Sequence, residues 1–140
     1  MIAYFDTSAL IPLIIDEPST DRCARLWDGA DRVVSARLLY PEARAALARA
    51  ERTRRISPRQ HAAAIAELEN LSGQIDHIEL TARLARVAGD LAQVHGLRGY
   101  DAVHLAAAAS ALDGQLVVVT GDVELAKAAR SMGMAVADTN

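Results

Sequence analysis

The sequence predicts an α/β domain built on a parallel sheet with helices on both faces. Three observations carry this reading. Short continuous apolar runs recur at Ile2–Phe5, Arg32–Ser35 and Leu116–Val119, the pattern of strands buried on both faces. Each run is followed by a segment of helical period rather than by a hairpin turn. The 140 residues are 51% hydrophobic and 24% charged, which suits one folded domain over 1–140 and excludes disorder as the main state. A chain of this length buries about two-thirds of its unfolded surface.

The elements follow in order. Ile2-Ala-Tyr-Phe5 reads as the first strand, ending at Asp6. Thr7 and Ser8 offer caps for a helix that Pro12 keeps short. Pro18-Ser19-Thr20 opens a second helix to about Asp28, with Cys23, Leu26 and Trp27 on one stripe. Arg32–Ser35 is the next strand, and Ser35 is placed as the cap of a long helix to about Arg54, with Leu38, Leu39, Ala46, Leu47 and Ala50 inward. Ser57-Pro58 starts a helix to about Leu71 by the N-cap and first-position rule. His77–Leu80 is a weak third strand. Thr81 caps a helix that Gly96 stops after His95. Tyr100–Leu112 is apolar nearly all round, as a buried helix is. Leu116–Val119 is β-branched, continuous and bounded by Gly114 and Gly121. A helix to about Ser131, closed by Gly133, precedes a last strand over Met134–Ala137.

Composition limits function. Cys23 is the single cysteine, so neither an intrachain disulfide nor a Cys/His zinc cluster is available. Met1–Ile15 is apolar but interrupted by Asp6 and Pro12, with no basic residue before it. That argues against a signal peptide or membrane span and for the reducing cytoplasm. The formal charge is −3, and of 15 Lys plus Arg only Lys127 is lysine. Arginine is the better fork for phosphate, although a GC-rich coding bias gives the same count.

Open parallel sheets bind ligands beyond the carboxyl ends of their strands. Asp6 follows the first strand directly, and Asp122 follows the Val117–Val119 strand after Thr120 and Gly121. Asp101 heads the most apolar helix and shares a stripe with Leu105, Ala108 and Leu112. Glu42 has Ala45, Ala46 and Arg49 as helical neighbours. Each acid also has a plain structural reading: Asp6 and Asp122 as loop caps, Asp101 as a first-turn carboxylate favoured by the helix dipole, Glu42 as a solvated partner of Arg49. Jointly, four acids at one rim need compensating charge. No lysine lies nearby in sequence, and oxygen-only ligands point to Mg²⁺, with Mn²⁺ as substitute, rather than zinc.

Tyr4-Phe5-Asp6-Thr7-Ser8-Ala9-Leu10 resembles the opening of a PIN domain. Pro41-Glu42-Ala43, Gly99-Tyr100-Asp101-Ala102-Val103-His104-Leu105-Ala106 and Val119-Thr120-Gly121-Asp122 resemble its later acidic motifs. Their order and spacing are similar to those of the VapC-type toxins of bacterial toxin–antitoxin pairs, over essentially the whole chain. The resemblance implies a PIN-like three-layer fold with a five-stranded parallel sheet. It implies a magnesium-dependent endoribonuclease, a homodimer and a small VapB-type antitoxin that blocks the site. Carried over, Asp6, Glu42, Asp101 and Asp122 are the catalytic and metal-binding acids, and Thr7, Ser8 and Thr120 are polar neighbours. Pro41 departs from the pattern, since it removes a helix hydrogen bond and biases Tyr40 away from helix, which puts the aim of Glu42 in question.

Such a site hydrolyses phosphodiesters with water as nucleophile, so RNA products carry 5′-phosphate and 3′-hydroxyl ends. Arg44, Arg49 and Arg52, with Arg54, Arg55 and Arg59, form the densest basic segment: a solvated helix end, or a phosphate-binding rim beside Glu42. Without the four acids the formal charge would be +1 rather than −3. His104 is read as a core histidine, Glu124 as a solvated helix acid, and Trp27 as core; His61, His77 and His95 show no convincing partners in the sequence. Rival folds fit less well. A receiver domain needs adjacent acids after strand one and a late lysine, but Thr7-Ser8 follow Asp6 and Lys127 is mid-helix. A haloacid-dehalogenase-like phosphatase needs Asp-x-Asp, and position 8 is Ser. A catalytically silent PIN scaffold is the non-enzymatic alternative.

Overall fold

In the computed structural model, which describes residues 1–111 and 115–140, five parallel strands form one sheet in the order β3-β2-β1-β4-β5. The strands are β1 (Ile2–Phe5), β2 (Arg32–Ala36), β3 (Ile75–Ile78), β4 (Leu116–Thr120) and β5 (Ala135–Asp138). Seven α-helices among the described residues connect them: α1 (Thr7–Leu10), α2 (Thr20–Asp28), α3 (Leu39–Arg52), α4 (Pro58–Ser72), α5 (Ala82–His95), α6 (Gly99–Ser110) and α7 (Val123–Ser131). The far end of the expected Tyr100–Leu112 helix, and Gly114, lie outside the described residues.

Strand alternation divides the core into two layers. Tyr4, Val34 and Val118 face Leu84, Ala88, Leu105 and Leu125 on α5, α6 and α7. Ala3, Phe5, Val33 and Val119 face Leu10, Leu39, Leu47 and Leu68 on α1, α3 and α4. The apolar run of each central strand therefore feeds both faces, which is why it reads as continuous rather than alternating. Ala102, Ala106, Ala107 and Ala108 are all buried on α6; methyl-sized side chains let this helix lie close against the sheet. Trp27 packs edge-to-face on Phe5, with centroids 5.4 Å apart.

Local chemistry sets most boundaries. Ser57 and Gln60 form a reciprocal capping box around Pro58. Thr81 caps α5 by accepting from the Leu84 N–H at 3.1 Å. Gly96 closes α5 at φ 66°, a left-handed position that disfavours a Cβ.

Four expectations need correction. Ser35 does not cap α3; it lies inside β2, where its hydroxyl donates to the Phe5 carbonyl at 2.6 Å. Asp6, rather than Thr7 or Ser8, caps α1. The third strand begins two residues before His77, with Ile75 buried and Asp76 exposed. Pro41 costs α3 no hydrogen bond: it stands in the first turn, where the N–H groups have no intrahelical acceptor, and Tyr40 is helical.

The sheet order puts β1 and β4 side by side, with Phe5 opposite Val119. The chain leaves β1 for β2 on one side and later returns to β4 on the other. That reversal opens a crevice beyond the carboxyl ends of β1 and β4. No helix among the described residues is long and apolar enough to cross a membrane.

Candidate active site

The crevice holds a cavity of about 170 Å³ lined by Asp6, Glu42, Asp101 and Asp122 together with Thr7, Ser8, Arg98, Tyr100 and His104. Each acid comes from a different element: the end of β1, the first turn of α3, the first turn of α6 and the end of the β4–α7 turn. Thr120, at the end of β4, is fully buried just beneath.

Asp6 is almost fully buried. Its Oδ1 accepts from Ser8 Oγ at 2.7 Å and from the Ala9 N–H at 3.0 Å, and its Oδ2 accepts from Thr120 Oγ1 at 2.6 Å. Burial raises its pKa; the Thr120, Ser8 and Ala9 donors offset part of that rise. The capping role and the site role therefore coexist in one side chain. Asp122 does the same at α7, where its Oδ1 accepts from the Leu125 N–H at 2.9 Å. Its aim is set by a tight turn. The Gly121 N–H donates to Ser8 Oγ at 2.8 Å, its carbonyl accepts from Asn140 Nδ2 at 2.7 Å, and a Cβ there would stand 2.9 Å from Thr139 Oγ1.

Glu42 does not pair with Arg49. Its Oε1 accepts from Thr7 Oγ1 at 2.8 Å and lies 2.6 Å from His104 Nε2. His104 is indeed buried, at 2% exposure, but both ring nitrogens are engaged, because Nδ1 lies 2.7 Å from the Tyr4 hydroxyl. Burial, then the neighbouring charge of Asp6, pushes the Tyr4 hydroxyl well above its ordinary pKa, so it keeps its proton. The reading of His104 as core alone is thus incomplete.

Asp101 also has a raised pKa, caused first by burial and then by the charge of Asp122, and opposed by Arg98. Arg98 is the residue that sequence reasoning missed. It precedes α6, makes no cap, and instead sets Nε 3.1 Å from Asp101 Oδ2 and Nη2 3.5 Å from Asp122 Oδ2. Its guanidinium also lies over the Tyr100 ring, 5.0 Å from the centroid. Part of the compensating charge that the four acids need therefore comes from an arginine, although no lysine lies nearby in sequence. The available signal was the i, i+3 spacing of Arg98 and Asp101.

The donor set tests the fit to a metal. Four carboxylates and several hydroxyls, with no thiolate, form an oxygen-rich set suited to Mg²⁺ or Mn²⁺. Among the described residues no three His, Cys, Asp or Glu side chains stand ready as an ion cage; the guanidinium of Arg98 bridges two of the acids instead. The set fits by chemistry, with Arg98 sharing the oxygens of Asp101 and Asp122.

The basic segment stands apart. Arg44 leans on Tyr40, donating to its hydroxyl at 3.0 Å, and that hydroxyl bonds Glu69. Arg55 pairs with Glu17 at 2.9 Å. Arg49 and Arg52 are exposed on α3, about 10 Å and 15 Å along the helix from Glu42 at 1.5 Å per residue. None of Arg44, Arg49 and Arg52 lines the acidic cavity. Glu124 is likewise outside it, and exposed. His61 and His77 do have partners, Glu51 at 3.3 Å and Ser72 Oγ at 3.2 Å.

Residues 3–131 match the family model described as PIN domain. The chain is 42% identical over 136 residues to ribonuclease VapC49 of Mycobacterium tuberculosis (strain ATCC 25618 / H37Rv), covering 97% of this chain and 94% of that one. Among solved structures it is similar to PAE2754 from Pyrobaculum aerophilum, with a TM-score of 0.67 and 26% identity over 91% of this chain and 84% of that one. A toxin–antitoxin complex from Klebsiella pneumoniae shares the fold, with a TM-score of 0.64 and 19% identity over 99% of this chain and 98% of that one.

Proposed function

This chain belongs to the PIN-domain family, among the VapC-type ribonucleases, and from that premise we propose that it cuts single-stranded RNA at the acidic cavity, with Mg²⁺ or Mn²⁺ as cofactor. The observation that carries the reading is the convergence of Asp6, Glu42, Asp101 and Asp122 from four elements on one small cavity beyond β1 and β4.

Held by Asp6, Glu42, Asp101 and Asp122, a divalent ion would lower the pKa of the attacking water and neutralise the attacked phosphate. The chain's own residues do the rest. Asp6 is fixed by three donors and cannot swing away. Glu42 is tethered through Oε1 by Thr7 and His104. Asp101 and Asp122 form the more open edge, shared with Arg98, and a carboxylate there can accept a proton from the attacking water.

The product ends test this. Cleaved RNA is expected to carry 5′-phosphate, and a 2′-O-methyl group at the scissile position leaves the chemistry intact. Cyclic 2′,3′-phosphate ends would show attack by the 2′-hydroxyl and sink the reading.

Arg49 and Arg52, free of ion pairs among the described residues, supply phosphate contacts outside the cavity in this reading, with Arg44 beside them. Replacing Arg49 or Arg52 with Ala is expected to weaken RNA binding and to flatten its log–log salt dependence by up to about 0.7 per lost contact. Unchanged slopes for both would leave the segment as a solvated face. An antitoxin of the VapB type and a second copy of the chain are the proposed protein partners. Similarity to a toxin–antitoxin complex supports the first.

A further inference from the structure

We propose that His104 is a positioning residue for the reaction, holding Glu42 by one carboxylate oxygen while Tyr4 holds the imidazole from its other ring nitrogen. The inference rests on the ribonuclease reading and adds two residues to it.

Three hydrogen bonds run in one line from backbone to site, and a fourth converges on its last oxygen. The Ala36 N–H donates to the Tyr4 hydroxyl oxygen at 3.2 Å. Glu42, an acceptor only, claims a proton on His104 Nε2, so in the neutral ring Nδ1 accepts the Tyr4 hydroxyl proton from 2.7 Å away. A ring whose Nδ1 accepts carries its proton on Nε2. That Nε2–H faces Glu42 Oε1 at 2.6 Å, and Thr7 Oγ1 donates to the same oxygen at 2.8 Å. Oε2 keeps its lone pairs for whatever the cavity binds.

The placement serves more than packing. His104 belongs to α6, whose core layer contains Tyr4, whereas α3 packs its Leu39 and Leu47 on the opposite face of the sheet. The bridge to Glu42 therefore joins the two helical layers beyond the end of β1. Unlike Asp6 and Asp122, Glu42 caps no helix, so no backbone N–H fixes its carboxylate. It has three side-chain torsions and stays partly exposed. Without a second anchor it would hold one geometry only part of the time, and rate falls with such loss of preorganisation. The direction of the chain is also specific: a proton on Nδ1 alone would leave Nε2 with nothing to donate to the carboxylate.

The experiment uses the full chain, its histidines labelled with ¹⁵N and the His104 signals assigned by their loss in H104Q. The parent is expected to show a protonated Nε2 and a bare Nδ1. Y4F should lose the hydrogen bond at Nδ1 and with it the single ring orientation, while the Glu42 carboxylate, an acceptor only, still favours a proton on Nε2. In RNA cleavage at saturating Mg²⁺, H104L is expected to lower kcat by about 10- to 100-fold, the usual cost of removing such a partner, with KM within about twofold. H104Q, which keeps a donor toward Glu42, should recover most of the loss. Thermal melting shows which variants fold; if H104L does not, H104Q and Y4F carry the test. A bare Nε2 in the parent, or folded H104L and Y4F with the parent's kcat, overturns the proposal. A parent that cuts no RNA instead overturns the ribonuclease reading, and the tautomer measurement still reads the His104–Glu42 bond by itself.

Discussion

Replacing Asp101 by Asn is expected to lower RNA cleavage by at least about a hundredfold, the range seen when a positioned acid or base is lost, while leaving the metal-free protein as stable as the parent or more stable. Asp6→Asn should behave alike. The stability half follows from linkage. Burial and the charge of Asp122 raise the Asp101 pKa in the folded state. The folded protein therefore binds this proton more tightly than the unfolded chain does. The favourable contribution is complete below the unfolded carboxyl range and is lost as pH rises through the folded value. At neutral pH the ionised carboxylate opposes folding, and the neutral amide removes that opposition. Asp101 is the cleaner site, because Asp6 also caps α1 and takes three donors. Asn at position 6 can still accept from Ser8 and the Ala9 N–H, but its amide would face Thr120 Oγ1, whose hydroxyl must turn toward Ser8, 3.3 Å away. Melting curves of parent and variants without metal, beside a cleavage assay, decide the matter. Variants that melt well below the parent yet still cut RNA would make these acids structural.

What could be read from the sequence was local. The runs at β1, β2 and β4 are buried on both faces, so their residues are apolar throughout and stand out in any window. Asp6, Asp101 and Asp122 were visible because each ends a strand or heads a helix, whereas Glu42 was marked by its inward neighbours and by the resemblance of Pro41-Glu42-Ala43 to a PIN motif. β3 is an edge strand with Asp76 exposed and only Ile75 buried, so its pattern was weak and its start misplaced. Ser35 has the chemistry of a helix cap, but the Phe5 carbonyl, thirty residues away, claims its hydroxyl. The same limit hid the inner contacts of the site. Glu42 and His104 are 62 residues apart, and Tyr4 and His104 are 100 apart. No spacing rule connects them; only the crossing of β1 beneath α6 does. Arg98 was hidden differently. Its neighbour Asp101 is close in sequence, but a position that usually caps the helix here sends its side chain across to a second acid on another turn.

Adding Mg²⁺ or Mn²⁺ is expected to switch cleavage on and to raise the melting temperature of the parent, and excess chelator to reverse both. Two carboxyls in the cavity have raised pKa values, so the ion-free fold disfavours their charge. A divalent ion held there would remove that penalty and would bind the folded state selectively, with a stabilisation growing as the logarithm of its concentration over Kd. Protons compete for the same oxygens. The metal-induced rise should therefore shrink as pH falls through the raised carboxyl range, earlier than ordinary carboxylates would require. Arg98 competes from within, because its guanidinium bridges Asp101 and Asp122 where an ion would draw on them. The pair is solvent-exposed on the arginine side, so its competition is modest. Arg98→Gln should lower the Mn²⁺ concentration at half-saturation by roughly two- to fivefold, the range exposed ion pairs reach, and should enlarge the melting shift at a fixed subsaturating dose. Asp101→Asn should diminish that shift. Full cleavage in chelator would eliminate the metal. A half-saturation point indifferent to Arg98→Gln would mean that the guanidinium and the ion occupy separate ground, and that the acids take the metal on the side toward Asp6 and Glu42.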